Sequence, residues 1–389
     1  MLLYHFARKI TYYNPNLHWF GTQKYAYCKY LRKKPYLCGM TRGRFAPSPT
    51  GRMHLGNVFC ALLSWLSAKS KGGDWVLRIE DLDPQRSRRE YAFQLMDDLQ
   101  WLGLPWDGEP VWQSQRGHIY EEYLHRLQEM GLTYPCYCTR ADIMATQAPH
   151  ETDGRVVYKG TCRPKDVISD AENDVADTAR VPTAINHISP SIEGGVGVGL
   201  ATTRLIVPDC TIPFTDGHYG KHDINLAEHC GDYIIRRKDG AWAYQLAVVV
   251  DDALMGVTEI VRGRDLLLSS PQQIHLRELL FLKRKGENGK RKTNSLTPHR
   301  SPFTVHRSPF TVDFFHHPLL CNSEGQRLCK RDKSMDLGYL RGTGITPQEI
   351  IGKLAYLAGL TDTTTPITPS ELLPLFSWDK VPTEDIILK

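Results

Sequence analysis

The stretch Arg44-Phe45-Ala46-Pro47-Ser48-Pro49-Thr50-Gly51 runs into His54-Leu55-Gly56-Asn57 at the head of an apolar, helically spaced run. His54 and Asn57 at that place can donate hydrogen bonds to phosphate oxygens. Gly56 lets a nucleotide approach the backbone, and the first N–H groups of a helix already favour anions. Far downstream, Arg327-Leu328-Cys329-Lys330-Arg331 is strongly basic, which by composition alone describes a solvated turn. A third group is Cys136-Tyr137-Cys138 followed by Tyr158-Lys159-Gly160-Thr161-Cys162. Three soft thiolates and one oxygen donor can complete a closed tetrahedral zinc site, structural because no position stays open. The same cysteines can equally be inert buried thiols.

The elements that position these groups follow from periodicity. Arg44 to Ala46 reads as a strand end; Leu55, Val58, Phe59, Leu62, Leu63 and Leu66 repeat at helical spacing; Trp75 to Ile79 reads as a second strand. Helical patterns follow over Tyr91 to Leu102 and Ile119 to Met130, then a strand over Val257 to Val261 and a helix over Leu266 to Leu282. Alternating β and α elements predict an α/β fold with a parallel, nucleotide-binding sheet. From about Thr346, Ile350, Ile351, Leu354, Ala355 and Leu357 share one helical face, so residues 343–389 read as a small helical C-terminal segment.

Two interruptions separate these elements. Residues 163–203 are polar and acidic and end in Gly194, Gly195, Gly197 and Gly199; residues 284–312 are basic and contain the repeat His299 to Val305 and His306 to Val312. Both read as flexible insertions, the repeat being too short for a solenoid. Residues 1–40 are aromatic and basic without sustained periodicity and read as an extension, disordered or upstream of the true start at Met40.

At 389 residues and 41% hydrophobic content, the chain can bury a substantial core. Its apolar runs, such as Leu246 to Val250, fall short of a bilayer span, and the N-terminus carries no secretory hydrophobic block, so the expected location is cytoplasmic. Ten cysteines without a regular framework then suggest reduced thiols or a metal site rather than disulfides. The net charge of +5 is uneven, with no acidic residue before Asp74, which suits a polyanionic partner or simply a solvated basic surface.

Taken together, FAPSPTG, HLGN and the downstream basic stretch resemble the two nucleotide-binding signatures of class I aminoacyl-tRNA synthetases, and the first resembles the glutamyl branch. The similarity runs from Thr41 to about Leu360 outside the two insertions. It includes Trp112-Gln113-Ser114-Gln115-Arg116 and Ala243-Tyr244-Gln245-Leu246-Ala247-Val248-Val249-Val250-Asp251-Asp252. The resemblance implies a Rossmann-like catalytic domain over 41–342, a zinc-containing insertion at 135–165, and no anticodon-binding domain, since the chain ends at Lys389 soon after the second signature.

The resemblance also implies roles. His54, Gly56, Asn57 and Lys330 would bind ATP, with His54, Asn57 and Lys330 catalytic. Lys330 would stand where the mobile lysine loop of the family places its catalytically important lysine. Here Arg327 replaces the loop's first lysine, Cys329 its serine and Arg331 its last serine. Glutamate would be held by Arg44, Phe45, Ala46, Pro47, Ser48, Glu80, Tyr244 and Arg262, which supply a cation for its side-chain carboxylate and an acceptor for its ammonium. The zinc ligands would be Cys136, Cys138, Tyr158 and Cys162. Substrates would be glutamate and ATP with Mg2+, without an obligatory protein partner. Within the family the chain resembles the truncated branch that attaches glutamate to the queuosine base at the wobble position of tRNA(Asp). Two other readings are a minimal synthetase charging the 3′ end of tRNA(Glu) and a non-catalytic tRNA-binding paralogue.

Overall fold

The computed structural model describes residues 41–145, 157–164, 201–281, 311–328 and 336–388. The expected opening is present. Strand β1 (Arg42–Phe45) leads to helix α1 (Leu55–Ser70), and β2 (Asp74–Ile79) returns parallel to β1 with Arg44 opposite Val76. Gly72, at φ +66°, makes the left-handed turn between α1 and β2, a conformation that costs glycine little. Helix α2 (Arg89–Trp101) crosses to β3 (Val111–Trp112), which pairs parallel to β2.

After a 3-10 turn (Gln113–Arg116) and α3 (Gly117–Glu129) the chain enters a small antiparallel sheet. Its strands are β4 (Thr133–Cys136), β5 (Thr202–Leu205) and, on the other side of β5, β8 (Ile234–Arg236); α4 (Arg140–Ala145) follows β4. Between β5 and β8 the hairpin β6 (Thr211–Asp216) and β7 (Gly220–Asn225) leads into the short α5 (Leu226–His229). Helix α6 (Tyr244–Leu254), β9 (Glu259–Gly263), α7 (Ser270–Phe281) and β10 (Asp313–His317) complete the second half of the core.

Strands β9 and β10 pair in parallel, and β10 also meets β6 through Phe314 and Asp216. At the foot of β1 and β9, Thr258 N–H donates to the Arg42 carbonyl (3.0 Å) and Arg42 N–H donates to Thr258 Oγ1 (2.8 Å). The strands therefore run side by side in the order β3-β2-β1-β9-β10. Strand order reverses between β1 and β9, and in open α/β sheets the crevice beyond the carboxyl ends at such a point is where ligands bind.

Helix α1 is apolar nearly all round because it is sandwiched. Phe59, Leu62, Leu63 and Leu66 share one core with Leu77 and Ile79 of β2 and with Ile351, Leu354 and Ala355 from the C-terminal segment. That segment comprises β11 (Leu320–Cys321), α8 (Leu337–Gly342), α9 (Pro347–Leu357), α10 (Pro369–Leu372) and β12 (Ile386–Ile387), the last pairing parallel to β11. Helix α9 opens with a capping box between Thr346 and Glu349 and Pro347 in its first turn, a strong start signal.

Two expected boundaries move. The helix expected from Leu266 begins at Ser270, preceded by a 3-10 stretch over Arg264–Ser269, because Pro271 cannot sit inside an α-helix and is tolerated in its first turn. The strand expected from Val257 begins at Glu259, because Val257 N–H is spent on the Asp252 carbonyl (2.8 Å) in closing α6. Residues 1–40, the glycine run at 194–199, and the repeat up to Phe310 lie outside the described residues, as do 165–200 and 284–310 of the two insertions. At the described end of the first insertion, Thr202 and Thr203 already belong to β5. No helix among the described residues is long and apolar enough to cross a membrane.

Candidate active site

His54 is the N-cap of α1. Its Nδ1 accepts from Gly56 N–H (3.1 Å), while its own N–H donates to Asn57 Oδ1 (3.1 Å), which closes a capping box. An Nδ1 that accepts leaves the neutral ring's proton on Nε2, so His54 presents a donor from that nitrogen. The arrangement adds a second reason for Gly56. A Cβ there would meet His54 Cε1 at 2.9 Å, so the histidine cap itself requires glycine. Gly56 N–H is consumed by the cap and is not an open anion donor.

Lys330 and its neighbours Cys329 and Arg331 lie outside the described residues. The chain on either side of them is anchored at the α1 turn. Leu328 is buried and lies near the open side of Gly56, Asp336 pairs with His54 in an isolated bridge, and Leu337 N–H donates to the Met53 carbonyl (2.9 Å). Arg327 is ion-paired with Asp265.

Beyond the carboxyl ends of β1 and β2, charged side chains form an alternating chain. Glu80 Oε1 accepts from Arg78 Nη2 (3.0 Å), Arg78 Nη1 donates to Asp252 Oδ1 (2.5 Å), and Arg44 Nε lies 3.6 Å from the same Asp252 oxygen. Arg78 and Asp252 are wholly buried, which fixes Glu80 and Arg44 in place. Burial raises the Asp252 carboxyl, yet Arg78 and Arg44 hold it below the usual carboxylate range. Burial raises Glu80 above that range, more than Arg78 and Arg44 pull it back. Arg44 Nη1 donates to the Val261 carbonyl (3.3 Å), bringing β1 to β9, and its buried Nε has no hydrogen-bond acceptor among the described residues.

Asp251, next to Asp252 on α6, accepts from Gln113 (2.9 Å), Arg116 (2.6 Å) and Tyr120 (2.7 Å). The WQSQR and VVVDD segments, distant in sequence, therefore share one buried cluster beneath the site.

Across the crevice, Arg262 on β9 is 3% exposed and its guanidinium is held on every nitrogen by neutral acceptors. Nε donates to His316 Nε2 (3.0 Å), Nη1 to Gln273 Oε1 (2.8 Å), and Nη2 to Ser270 Oγ (2.8 Å) and the Leu266 carbonyl (3.2 Å). Gln273 in turn donates to Gln245 Oε1 (3.0 Å) on α6. The Tyr244 hydroxyl lies against the same guanidinium, and the ring is 38% exposed, at the mouth. Burial lowers the Arg262 pKa, with the Arg44 charge adding to it, and the Tyr244 hydroxyl and the more distant Asp252 offset this only in part; among the described residues no carboxylate makes a direct ion pair with Arg262. Arg44, Glu80, Tyr244 and Arg262 thus converge on one crevice.

The rest of the first motif is placed differently. The Phe45 side chain is buried against Trp75, with ring centroids 5.9 Å apart, so it offers a ligand its backbone only. Ala46 and Pro47 are half-buried, the Pro47 carbonyl accepting from Glu80 N–H (3.0 Å), and Ser48 is exposed. Sequence reasoning passed over Asp251, Asp252, Gln273, Ser270 and His316 as site builders. Two acids closing an apolar helix were the one local signal available for the first pair.

In the small antiparallel sheet, the sulfurs of Cys136, Cys138 and Cys162 lie within 4.8 Å of one another, with Cys138 and Cys162 at 3.5 Å. Thiolates on one tetrahedral zinc lie about 3.8 Å apart for Zn–S bonds near 2.3 Å, so the cluster can take a metal ion. The Tyr158 hydroxyl sits 3.4 Å from Cys136 Sγ and 3.7 Å from Cys138 Sγ, and accepts from Cys162 N–H (2.7 Å). Burial raises the Cys162 thiol, but the Tyr137 N–H, Tyr158 hydroxyl and Cys138 thiol bring it down to about 7, which favours the ligating thiolate.

Known proteins are similar to this chain in sequence and fold. The family described as tRNA synthetases class I (E and Q), catalytic domain, matches residues 40–183 and 192–288. A glutamyl-Q tRNA(Asp) synthetase of Symbiobacterium thermophilum is 40% identical over 89% of this chain and 95% of its own. The relative of the same name from Nitratidesulfovibrio vulgaris is 37% identical over 90% and 95%. A crystal structure of a glutamate tRNA ligase from Elizabethkingia meningosepticum, in complex with its amino acid, superposes with a TM-score of 0.63 at 24% identity. That match covers 90% of this chain and 67% of the ligase, and shows the shared fold. With an α/β catalytic core, a crevice at the strand-order reversal and these relatives, the chain belongs to the class I tRNA synthetases of the E and Q type, in the glutamyl-Q tRNA(Asp) synthetase family.

Proposed function

We propose that this enzyme activates glutamate with ATP, without tRNA, and transfers it to the queuosine base at the wobble position of tRNA(Asp). The observation that carries the amino-acid assignment is Arg262, a buried cation whose hydrogen-bond acceptors among the described residues are all neutral. A buried charge without a counter-ion is costly, and a ligand carboxylate removes that cost. The glutamate side chain is such a ligand. Arg44 borders the same crevice but already faces Asp252, so its charge is partly spent. Glu80 accepts the substrate ammonium, and the Tyr244 hydroxyl lies between substrate and solvent.

In this reading ATP, with Mg2+, lies over the start of α1. His54 Nε2–H and the Asn57 side-chain amide donate to phosphate oxygens, and the helix terminus adds its own positive end. The glutamate carboxylate attacks the α-phosphorus, and Lys330 stabilises charge on the departing pyrophosphate. The queuosine hydroxyl then attacks the glutamyl carbonyl and AMP leaves. Exposed Arg86, Arg88 and Arg89 stand beside the motif loop, where Arg88 N–H donates to the Pro49 carbonyl (2.9 Å), and they suit the RNA backbone. Localising glutamate on the tRNA after transfer tests this acceptor.

We assign the metal of the cysteine cluster as one structural zinc held by Cys136, Cys138, Tyr158 and Cys162. A zinc ion there would cross-link the end of β4 to the 158–162 turn, in a small sheet with a small core of its own. Cys138→Ala is expected to lower zinc from about one ion per chain to well below half and to lower the melting temperature. Both are readable by elemental analysis and calorimetry, and full occupancy in that variant would rule out this ligand set.

A further inference from the structure

The side chain that holds Arg262 Nε is a histidine, and its tautomer follows from its partners. Arginine only donates, so His316 Nε2 is the acceptor in the 3.0 Å contact with Arg262 Nε. The proton of the neutral ring is therefore on Nδ1, which donates to Asp216 Oδ2 at 2.6 Å. His316 and Asp216 are both wholly buried.

Asp216 reaches this place because the β6–β7 hairpin docks on β10, with Asp216 opposite Phe314. Its other oxygen accepts the backbone N–H groups of His218 (3.0 Å), Tyr219 (2.9 Å) and His316 (3.3 Å). Four hydrogen bonds thus satisfy the carboxylate without a cation. Gly217 makes the turn possible, since a Cβ there would meet the Phe315 ring at 2.0 Å. The arrangement has a chemical consequence for Arg262. A carboxylate placed directly on the guanidinium would orient it equally well but would neutralise it. An interposed neutral imidazole orients it and leaves its charge for the substrate. Burial lowers the His316 pKa to about 4, so the ring stays neutral at physiological pH.

We propose that His316 and Asp216 are positioning residues for amino-acid selection, fixing Arg262 through a neutral acceptor so that its charge is reserved for an anionic substrate side chain. The proposal rests on the assignment of Arg262 as the reader of that side chain.

The test is ATP–pyrophosphate exchange driven by glutamate or by glutamine, with KM and kcat measured separately for His316→Leu, His316→Gln, His316→Glu and Asp216→Asn, and with Arg262→Ala in parallel. His316→Leu removes the acceptor, and KM for glutamate is expected to rise about tenfold or more with KM for ATP unchanged. His316→Gln returns a neutral acceptor at the Nε2 position and is expected to recover most of that loss. Asp216→Asn, which weakens the orientation of the imidazole, is expected to fall between the two. His316→Glu places an anion on Arg262 and is expected to reduce the preference for glutamate over glutamine the most. A purely structural role for His316 would lower the melting temperature and leave that preference intact. Should the leucine variant not fold, the glutamine and glutamate variants decide, and equal preference in those two overturns the proposal. If Arg262→Ala raises KM for glutamate while the His316 variants leave both KM and preference untouched, the relay alone falls. If Arg262→Ala leaves KM unchanged, the reading of Arg262 falls first.

Discussion

Arg262→Ala is expected to lower kcat/KM for glutamate in pyrophosphate exchange by about a hundredfold or more, the usual cost of removing one member of a buried, hydrogen-bonded charge pair. KM for ATP should not change, because in the proposed reading Arg262, on β9, contacts the amino acid while the phosphates lie over the start of α1. Without substrate, the variant should lose little stability. His316, Gln273, Ser270 and the Leu266 carbonyl lose a donor, but a buried guanidinium without a direct counter-ion is removed at the same time. Glutamate should therefore raise the melting temperature of the native enzyme and leave that of Arg262→Ala nearly unmoved, as mass action requires when affinity is lost. An Arg262→Ala enzyme with native kcat/KM for glutamate would assign the side-chain carboxylate to Arg44 instead.

Lys330→Ala is expected to slow the exchange by about a hundredfold or more with little change in KM for glutamate, as when one preorganised charge is withdrawn from a developing anion. The described structure sharpens this expectation through its neighbour. Arg327, aligned with the first lysine of the family's mobile loop, is ion-paired with Asp265, which leaves less of its charge for pyrophosphate. Buried Leu328 before the stretch and Asp336 after it are both fastened to the α1 turn. The described chain before and after Lys330 is thus fastened beside the proposed phosphate site. A normal rate in Lys330→Ala would move the role to Lys333, which with Ser334 is the second candidate in the sequence, three residues on, to be tested in the same assay.

Local patterns carried much of the architecture. The β1–α1–β2 opening, the helix start at HLGN and the α9 capping box are written in contiguous residues, where periodicity and capping chemistry are decisive. Arg44, Glu80, Tyr244 and Arg262 were identified through resemblance, and it is the order of the strands that brings them to one crevice. What escaped was the machinery that orients them. Arg78 is held by Asp252, far along the chain on α6, and Arg262 by His316, whose partner Asp216 sits on a hairpin a hundred positions earlier. Such pairings depend on which strands become neighbours, and no local period encodes that. Helix α6 hid its role in another way. Its apolar run explains burial, but its two terminal acids become informative only once Arg78, Arg44, Gln113 and Arg116 are seen to converge on them. Gly56 was read for the nucleotide, whereas the His54 ring beside it already demands glycine.

The central claim is that glutamate ends on a base in the anticodon loop. An unstacked wobble nucleotide can be drawn into a pocket and read by stacking and by its edges, and the cyclopentene hydroxyls of queuosine supply a nucleophile chemically similar to a ribose hydroxyl. The most direct measurement incubates the full chain with labelled glutamate, ATP, Mg2+ and tRNA(Asp) with or without queuosine, followed by nuclease mapping of the label. Label confined to the wobble nucleotide, dependent on queuosine and unaffected by periodate oxidation of the terminal ribose, is the expected result. Label on the terminal adenosine, or transfer to tRNA without queuosine, would contradict it and identify a minimal glutamyl-tRNA synthetase. Absence of transfer to any tRNA would contradict it in favour of a paralogue that binds RNA without this chemistry.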